Sequence, residues 1–148
     1  MSNFTFFKMV LLSILLCACA KSDYELADGE KGSFSDWKGK WVLINYWATW
    51  CEPCHQEIPE FNAFSKMHND VVVLGVNFDQ PQGEALNKEI TQMGVEFPVL
   101  TQDPANALHF NSPSVLPMTV ILNPQGKVHA TLLGPQTQTT LAKAIGIK

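Results

Sequence analysis

The chain has 148 residues, a net charge of −4 and not one arginine. That length suffices for a single domain with a real core. Ten lysines without arginine, set against fourteen acidic residues, supply no basic face of the kind nucleic acid requires, so that partner class is set aside.

Residues 1–18 read as a targeting segment: a short start ending in Lys8, an apolar run from Met9 to Leu16, then Cys17 and Ala18. The run is short for a membrane span. Leu16-Cys17-Ala18-Cys19 resembles a bacterial lipobox, in which cleavage before Cys19 and lipidation of its sulfur tether the mature domain. An ordinary cleaved signal ending near Ala18 or Ala20, or an uncleaved anchor, stays open as an alternative. By analogy with lipoprotein sorting, Ala20 after the lipidated position favours the outer membrane. The expected organisation is therefore a signal segment over 1–18, a polar tether over 19–31 and one domain over 32–148.

Ser33 to Trp37 has the composition of a short strand or turn, and Lys38-Gly39-Lys40 turns the chain into a β-rich run from Trp41 to Trp47. Cys54 to Met67 reads as a helix with Ile58, Phe61 and Phe64 on its core face. Pro59 cannot donate to the carbonyl of His55, which predicts a kink. Val71 to Asn77 reads as a second buried strand and Glu84 to Met93 as a crossover helix, which implies parallel strands joined by a right-handed connection. Phe97 to Leu100 is a short extended piece, and Pro104 to Phe110 a brief helix. Met118–Leu122 and Lys127–Leu133 flank Asn123-Pro124-Gln125-Gly126 as a hairpin, and Thr137 to Ile145 closes the chain as a helix. The expected class is α/β, a central mixed sheet with helices on both faces.

The chemistry sits between the first strand and the first helix, in Trp47-Ala48-Thr49-Trp50-Cys51-Glu52-Pro53-Cys54-His55. With the signal removed and Cys19 committed to the anchor, Cys51 and Cys54 are the free thiols, too close in sequence to staple a fold. As the first exposed helical position, Cys51 would face unpaired N–H groups and the positive helix end, both of which favour its thiolate. Cys54, one turn in, can then resolve a mixed disulfide on Cys51. Glu52 opposes thiolate formation, so the Cys51 pKa is expected to be lowered only moderately. Pro53 suits the first turn. Glu57, three residues after Cys54, falls on the Cys54 side of the helix, where it can exchange a proton with that thiol. Trp50 reads as part of an apolar apron beside Cys51, Trp47 as core, and Asn45 as a buried polar group satisfied by its surroundings.

These residues resemble the thioredoxin superfamily and, more narrowly, its extracytoplasmic TlpA/ResA/CcmG(DsbE)-like thiol-disulfide oxidoreductases. The matching stretches are Gly39-Lys40, Asn45 to Cys54, Glu57-Ile58-Pro59, Gly75-Val76-Asn77, Phe97-Pro98-Val99 and Leu116 to Leu122. Ordinary thioredoxins carry an Asp where this chain has Asn45; the group resembled here uses the acid at Glu57. His55 stands where Lys or Arg is commoner. The resemblance implies a thioredoxin fold, a redox-active Cys51–Cys54 disulfide, no cofactor, and a cis-proline at Pro117 facing that disulfide. The main chain of Leu116 would then pair with an extended substrate segment. It further implies an exported, periplasmic protein that reduces disulfides in selected proteins, apocytochrome c during haem attachment among them. A membrane thiol donor of the CcdA or DsbD kind would re-reduce it.

Two rival readings stay open at this stage. Cys51-Glu52-Pro53-Cys54-His55 also satisfies C-x-x-C-H, the attachment pattern of a c-type haem, although the surrounding strand and helix pattern argues against it. A thioredoxin-fold copper module would need a third ligand, and His68, His109 and His129 are spread along the chain. Zinc would want a second cysteine pair, which the sequence lacks.

Overall fold

The computed structural model describes residues 22–147. The targeting segment, Cys17 and Cys19 lie outside the described residues. The chain opens with a small hairpin, β1 (Tyr24–Glu25) and β2 (Lys31–Gly32), followed by a 3-10 turn at Phe34–Trp37. Then come β3 (Val42–Trp47), α1 (Glu52–Met67), β4 (Val72–Asn77), α2 (Glu84–Met93), β5 (Val99–Leu100) and α3 (Ala105–Leu108). A final hairpin of β6 (Met118–Leu122) and β7 (Val128–Leu133) leads to α4 (Gln138–Ile145). The main sheet has the order β5-β4-β3-β6-β7, with β3, β4 and β5 parallel and β6 and β7 antiparallel to their neighbours. This is the mixed α/β sheet of a thioredoxin fold, with β3 at its centre. No helix among the described residues is long and apolar enough to cross a membrane.

Because β3 is buried on both faces, its side chains divide between two cores by alternation. Leu43 and Trp47 join Ile58, Phe61 and Phe64 of α1, Leu86 of α2, and Leu141 and Ile145 of α4. Val42, Ile44 and Tyr46 face the opposite way, toward Leu26, Trp37 and the flank of α3. The long helices thus cover one face of the sheet, and the N-terminal hairpin, the 3-10 turn and α3 cover the other.

One expectation is revised and two elements are specified more closely. The tether expected over 19–31 is folded from Tyr24 onward. Leu26 bridges to Leu100 and is buried, and the Ala27 N–H donates to the Val99 carbonyl at 2.8 Å, so the hairpin extends the sheet edge. Ser33 to Trp37 is a 3-10 turn closed by a capping box between Ser33 and Asp36. Finally, α1 runs as one helix through Pro59. Its buried residues on both sides of the proline, Cys54, Glu57, Ile58, Phe61 and Phe64, hold the two halves on the sheet.

Gly75, paired with Asn45 across the β3–β4 ladder, is where the sheet needs the absence of a side chain. A Cβ there would sit 2.9 Å from Trp47 Nε1, 3.0 Å from Phe97 and 3.1 Å from Val99. Gly75→Ala therefore forces the indole or the backbone to move. It should destabilise the fold by about 1–3 kcal/mol in denaturant titrations; an unchanged midpoint would mean that the Trp47 packing has slack.

Candidate active site

Sheet register brings three segments to one edge. Trp47 ends β3 opposite Asn77, the end of β4, and Tyr46 lies opposite Met118, the start of β6. The loop from Ala48 to Cys51, the pair Phe78–Asp79 and the pair Leu116–Pro117 therefore meet the sheet at the carboxyl end of its parallel strands, where α/β sheets place ligands.

Cys51 and Cys54 form a disulfide, with Cα atoms 5.3 Å apart. Cys51 is the N-cap of α1, its backbone still extended (φ −87°, ψ 98°), and not the first helical residue as the sequence suggests. A turn from the Ala48 carbonyl to the Cys51 N–H at 3.1 Å delays the helix, which begins with Glu52 and Pro53. Cys51 is also less open than expected: 4% of its surface is exposed, and Cys54 has none. A partner can reach the pair from the Cys51 side alone, which is the asymmetry that attack by one sulfur and resolution by the other requires.

Around that opening lies an apolar rim. Trp50 is 63% exposed, its indole N–H donates to Asp79 Oδ2 at 2.8 Å, and its ring meets the edge of Phe78 at 6.0 Å. Phe78 and Val115 are exposed, and Leu116 packs against the core cluster that contains both cysteines. The Leu116–Pro117 bond is cis. Among the described residues the Leu116 main chain makes no backbone hydrogen bond, while the Pro117 carbonyl accepts from Gly134 N–H at 2.9 Å. The approach to this loop is anchored at Asp103, which accepts from the Tyr46 hydroxyl (2.6 Å), the Ala105 N–H (2.9 Å) and the Ser112 hydroxyl (2.6 Å). Burial first, and then the Asp103 carboxylate, push the Tyr46 hydroxyl well above its ordinary range, so it stays a donor.

Under the cysteines lies Glu57, 1% exposed, on the same buried face of α1 as Cys54. Its Oε1 accepts from Asn45 Nδ2 at 2.6 Å and its Oε2 from the Gln136 N–H at 3.1 Å. Burial raises its pKa from 4.5 to about 7, against the pull of those two hydrogen bonds toward the charged form. Asn45 is wholly buried, and its Nδ2 also lies 3.4 Å from Thr119 Oγ1. The expectation that Asn45 is satisfied fails, because its Oδ1 is buried and has no hydrogen-bond partner among the described residues.

The site does not fit a c-type haem. Cys54 has no exposed surface, and the His55 ring is turned onto the loop, with Nε2 donating to the Thr49 carbonyl at 2.9 Å. His68 packs on Phe64, His129 on Trp41, and His109 ends α3, so these three are not brought together. The residues that sequence reasoning passed over are Phe78, Asp79, Asp103 and Gln136. The first two follow directly on the end of a parallel strand, a position that could have marked them; the Asp103 carboxylate is tied to Tyr46, far away in sequence, and Gln136 acts through its backbone N–H, neither of which leaves a sequence pattern.

The AhpC/TSA family pattern matches residues 18–131. The chain belongs to the AhpC/TSA family. Within that family it is a thiol-disulfide oxidoreductase of the ResA type. It is 32% identical over 121 residues to the thiol-disulfide oxidoreductase ResA of Bacillus subtilis, a match covering 79% of this chain and 66% of that relative. Among solved structures, StoA from Bacillus subtilis superposes with a TM-score of 0.67 at 25% identity, over 82% of this chain and 92% of that one. The pneumococcal exposed lipoprotein thioredoxin Etrx1 of Streptococcus pneumoniae gives a TM-score of 0.68 at 25% identity, over 83% and 96%.

The raised Glu57 pKa has a stability signature in this oxidoreductase. Between pH 4.5 and about 7 the folded protein holds a proton that the unfolded chain has released, so stability is greatest below that window and falls as pH rises through it. Oxidised wild type should lose about 3 kcal/mol across the window relative to Glu57→Gln, measured by denaturant unfolding at each pH. Parallel curves for the two proteins would show that Glu57 titrates normally.

Proposed function

We propose that this protein is an exported, lipid-anchored reductase of disulfides in selected periplasmic proteins, with Cys51, Cys54 and Glu57 as its catalytic residues. The observation that carries the reading is the buried Glu57 carboxyl, with a pKa near 7, on the same face of α1 as the unexposed Cys54. An acid poised near neutrality can take a proton and return it.

In the reduced protein the Cys51 thiolate attacks one sulfur of the partner disulfide. That bond breaks, one partner sulfur leaves as thiolate, and a mixed disulfide forms on Cys51. Cys54 then gives its proton to the Glu57 carboxylate and attacks the Cys51 sulfur, expelling the second partner sulfur. Two electrons have passed to the partner and the Cys51–Cys54 disulfide is left. A membrane thiol donor of the CcdA or DsbD kind returns the two electrons. Trp50 and the Leu116–Pro117 pair form the partner-binding rim, with Leu116 offering its main chain to an extended segment. Reduction as the direction of exchange, and apocytochrome c as a substrate, rest on the resemblance to the TlpA/ResA/CcmG group.

Export and anchoring rest on residues 1–18 as a signal segment and on Cys19 as the lipidated residue. A solved relative described as an exposed lipoprotein supports that reading. By analogy with lipoprotein sorting, Ala20 favours the outer membrane.

Three measurements test these points. Cys54→Ser should retain partners covalently on Cys51 in cells, and recovery of none would remove the substrate role. The reduction potential of the pair should lie near or below about −250 mV, whereas a value near −120 mV, about that of strong oxidants, would reverse the direction. Mass spectrometry of the mature protein should find a lipid-modified N-terminal Cys19; an unmodified peptide starting after Cys19 would end the lipoprotein reading.

A further inference from the structure

We infer that Asn45 is a positioning residue for this exchange: its Nδ2 orients the Glu57 carboxylate and holds it in the ionised form that accepts the Cys54 proton. The inference rests on the reading of Glu57 as the proton acceptor.

Asn45 lies at the middle of the central strand, wholly buried, on the face that α1 covers. Its amide is used one-sidedly. Nδ2 donates to Glu57 Oε1 at 2.6 Å and lies 3.4 Å from Thr119 Oγ1, while Oδ1 is sealed from water with no partner among the described residues. A buried carbonyl left unpaired is unfavourable. A position kept for packing would carry an apolar side chain here, so the amide is held in place by what Nδ2 does. That role is specific to Glu57. Each carboxylate oxygen has one N–H donor, Asn45 from the sheet and Gln136 from the approach to α4, and together they fix the carboxylate plane.

Nothing cationic is among those partners, so the anion is supported by neutral dipoles alone. On α1 the neighbouring titratable groups are Cys54 and, one turn on, Glu60, whose carboxylate is engaged by the Gln138 N–H. From β3 the one titratable side chain is Tyr46, turned to the opposite face and bonded to Asp103. β6 offers none. α4 carries Lys143, in its last turn and remote from Gln136. With so few charges in play, losing one donor to the anion should be visible as a displaced titration. Both N–H donors pull the Glu57 pKa down against burial, so removing one must raise it.

The test follows resolution of the mixed disulfide by Cys54. Fully reduced protein is mixed with oxidised glutathione, and release of the second glutathione is timed from about pH 5 to about pH 9, a range that spans the Glu57 titration. The wild-type inflection belonging to Glu57 is identified by its disappearance in Glu57→Gln. Asn45→Leu should move that inflection upward by about one pH unit, the size expected for one hydrogen bond to a charged group. It should slow resolution near pH 6 by up to about tenfold. Thr119→Val leaves the Asn45–Glu57 contact in place and should shift the inflection by no more than about a few tenths of a unit. If Asn45→Leu fails to give the wild-type melting profile, Asn45→Ala takes its place. A profile that Glu57→Gln does not flatten overturns the role of Glu57 itself. A flattened Glu57→Gln profile with an unmoved inflection in the Asn45 variant, or an equal shift in Thr119→Val, overturns the role of Asn45 alone.

Discussion

A carboxyl group with 1% of its surface exposed has lost the water that would stabilise its charge, and two other parts of the fold supply the replacement. Glu57 comes from α1, the Asn45 amide from β3, and the Gln136 N–H from the segment that leads into α4. No local segment contains all three, so the acid acquires its properties only when helix, sheet and closing helix are assembled. The same segment reaches the opposite wall of the site: Gly134 N–H binds the Pro117 carbonyl, and the Gln136 side chain binds the Gly134 carbonyl. One short stretch of chain thereby ties the buried acid to the loop that borders the disulfide. Glu60 repeats the attachment one turn further along, through the Gln138 N–H.

Above the acid, the problem is to expose one sulfur and cover the other. Parallel pairing of β3 with β4 sends α1 back across the sheet, so its first turn rises at the edge where β4 also ends and β6 begins. The resulting crowding covers Cys54 and leaves a small part of Cys51 open. Trp50 would gain by folding its ring into the surface, yet it stays largely exposed. It is held by a relay from α2: Glu89 accepts from Asn77 Nδ2, Asn77 Oδ1 accepts from the Asp79 N–H, and Asp79 accepts from the indole.

Most of this fold is legible in the sequence because its larger elements carry strong local signals. α2 spans Glu84–Met93, matching its pattern, and α4 begins just after Thr137, whose capping box with Thr140 defines the start. The final hairpin is marked by Asn123-Pro124-Gln125-Gly126. The first hairpin is not legible, since strands of two residues show no periodicity and Tyr24 and Leu26 are isolated apolar residues in a polar stretch. At the site, the two cysteines and Glu57 declare themselves by spacing on one helix. The N-cap position of Cys51 depends on a turn begun at Ala48, and the unpaired Oδ1 of Asn45 depends on what the neighbouring strands do not provide. Neither is encoded in a local pattern.

The charge distribution bears on how a partner is recognised. Glu52 and Asp79 are exposed near the opening, and the chain has no arginine with which to grip an acidic partner in two-pronged fashion. What the rim presents instead is Trp50, Phe78 and Val115 as apolar contact area, with Leu116, whose main chain makes no backbone hydrogen bond among the described residues, packed against the cluster that holds both cysteines. Main-chain pairing accepts any extended sequence, and aromatic contact accepts most apolar ones. On the proposed reading of Leu116 as the main chain that pairs with a partner, the 4% exposure of Cys51 leaves accessibility as the remaining source of discrimination, and favours a disulfide carried on a segment that can extend along Leu116.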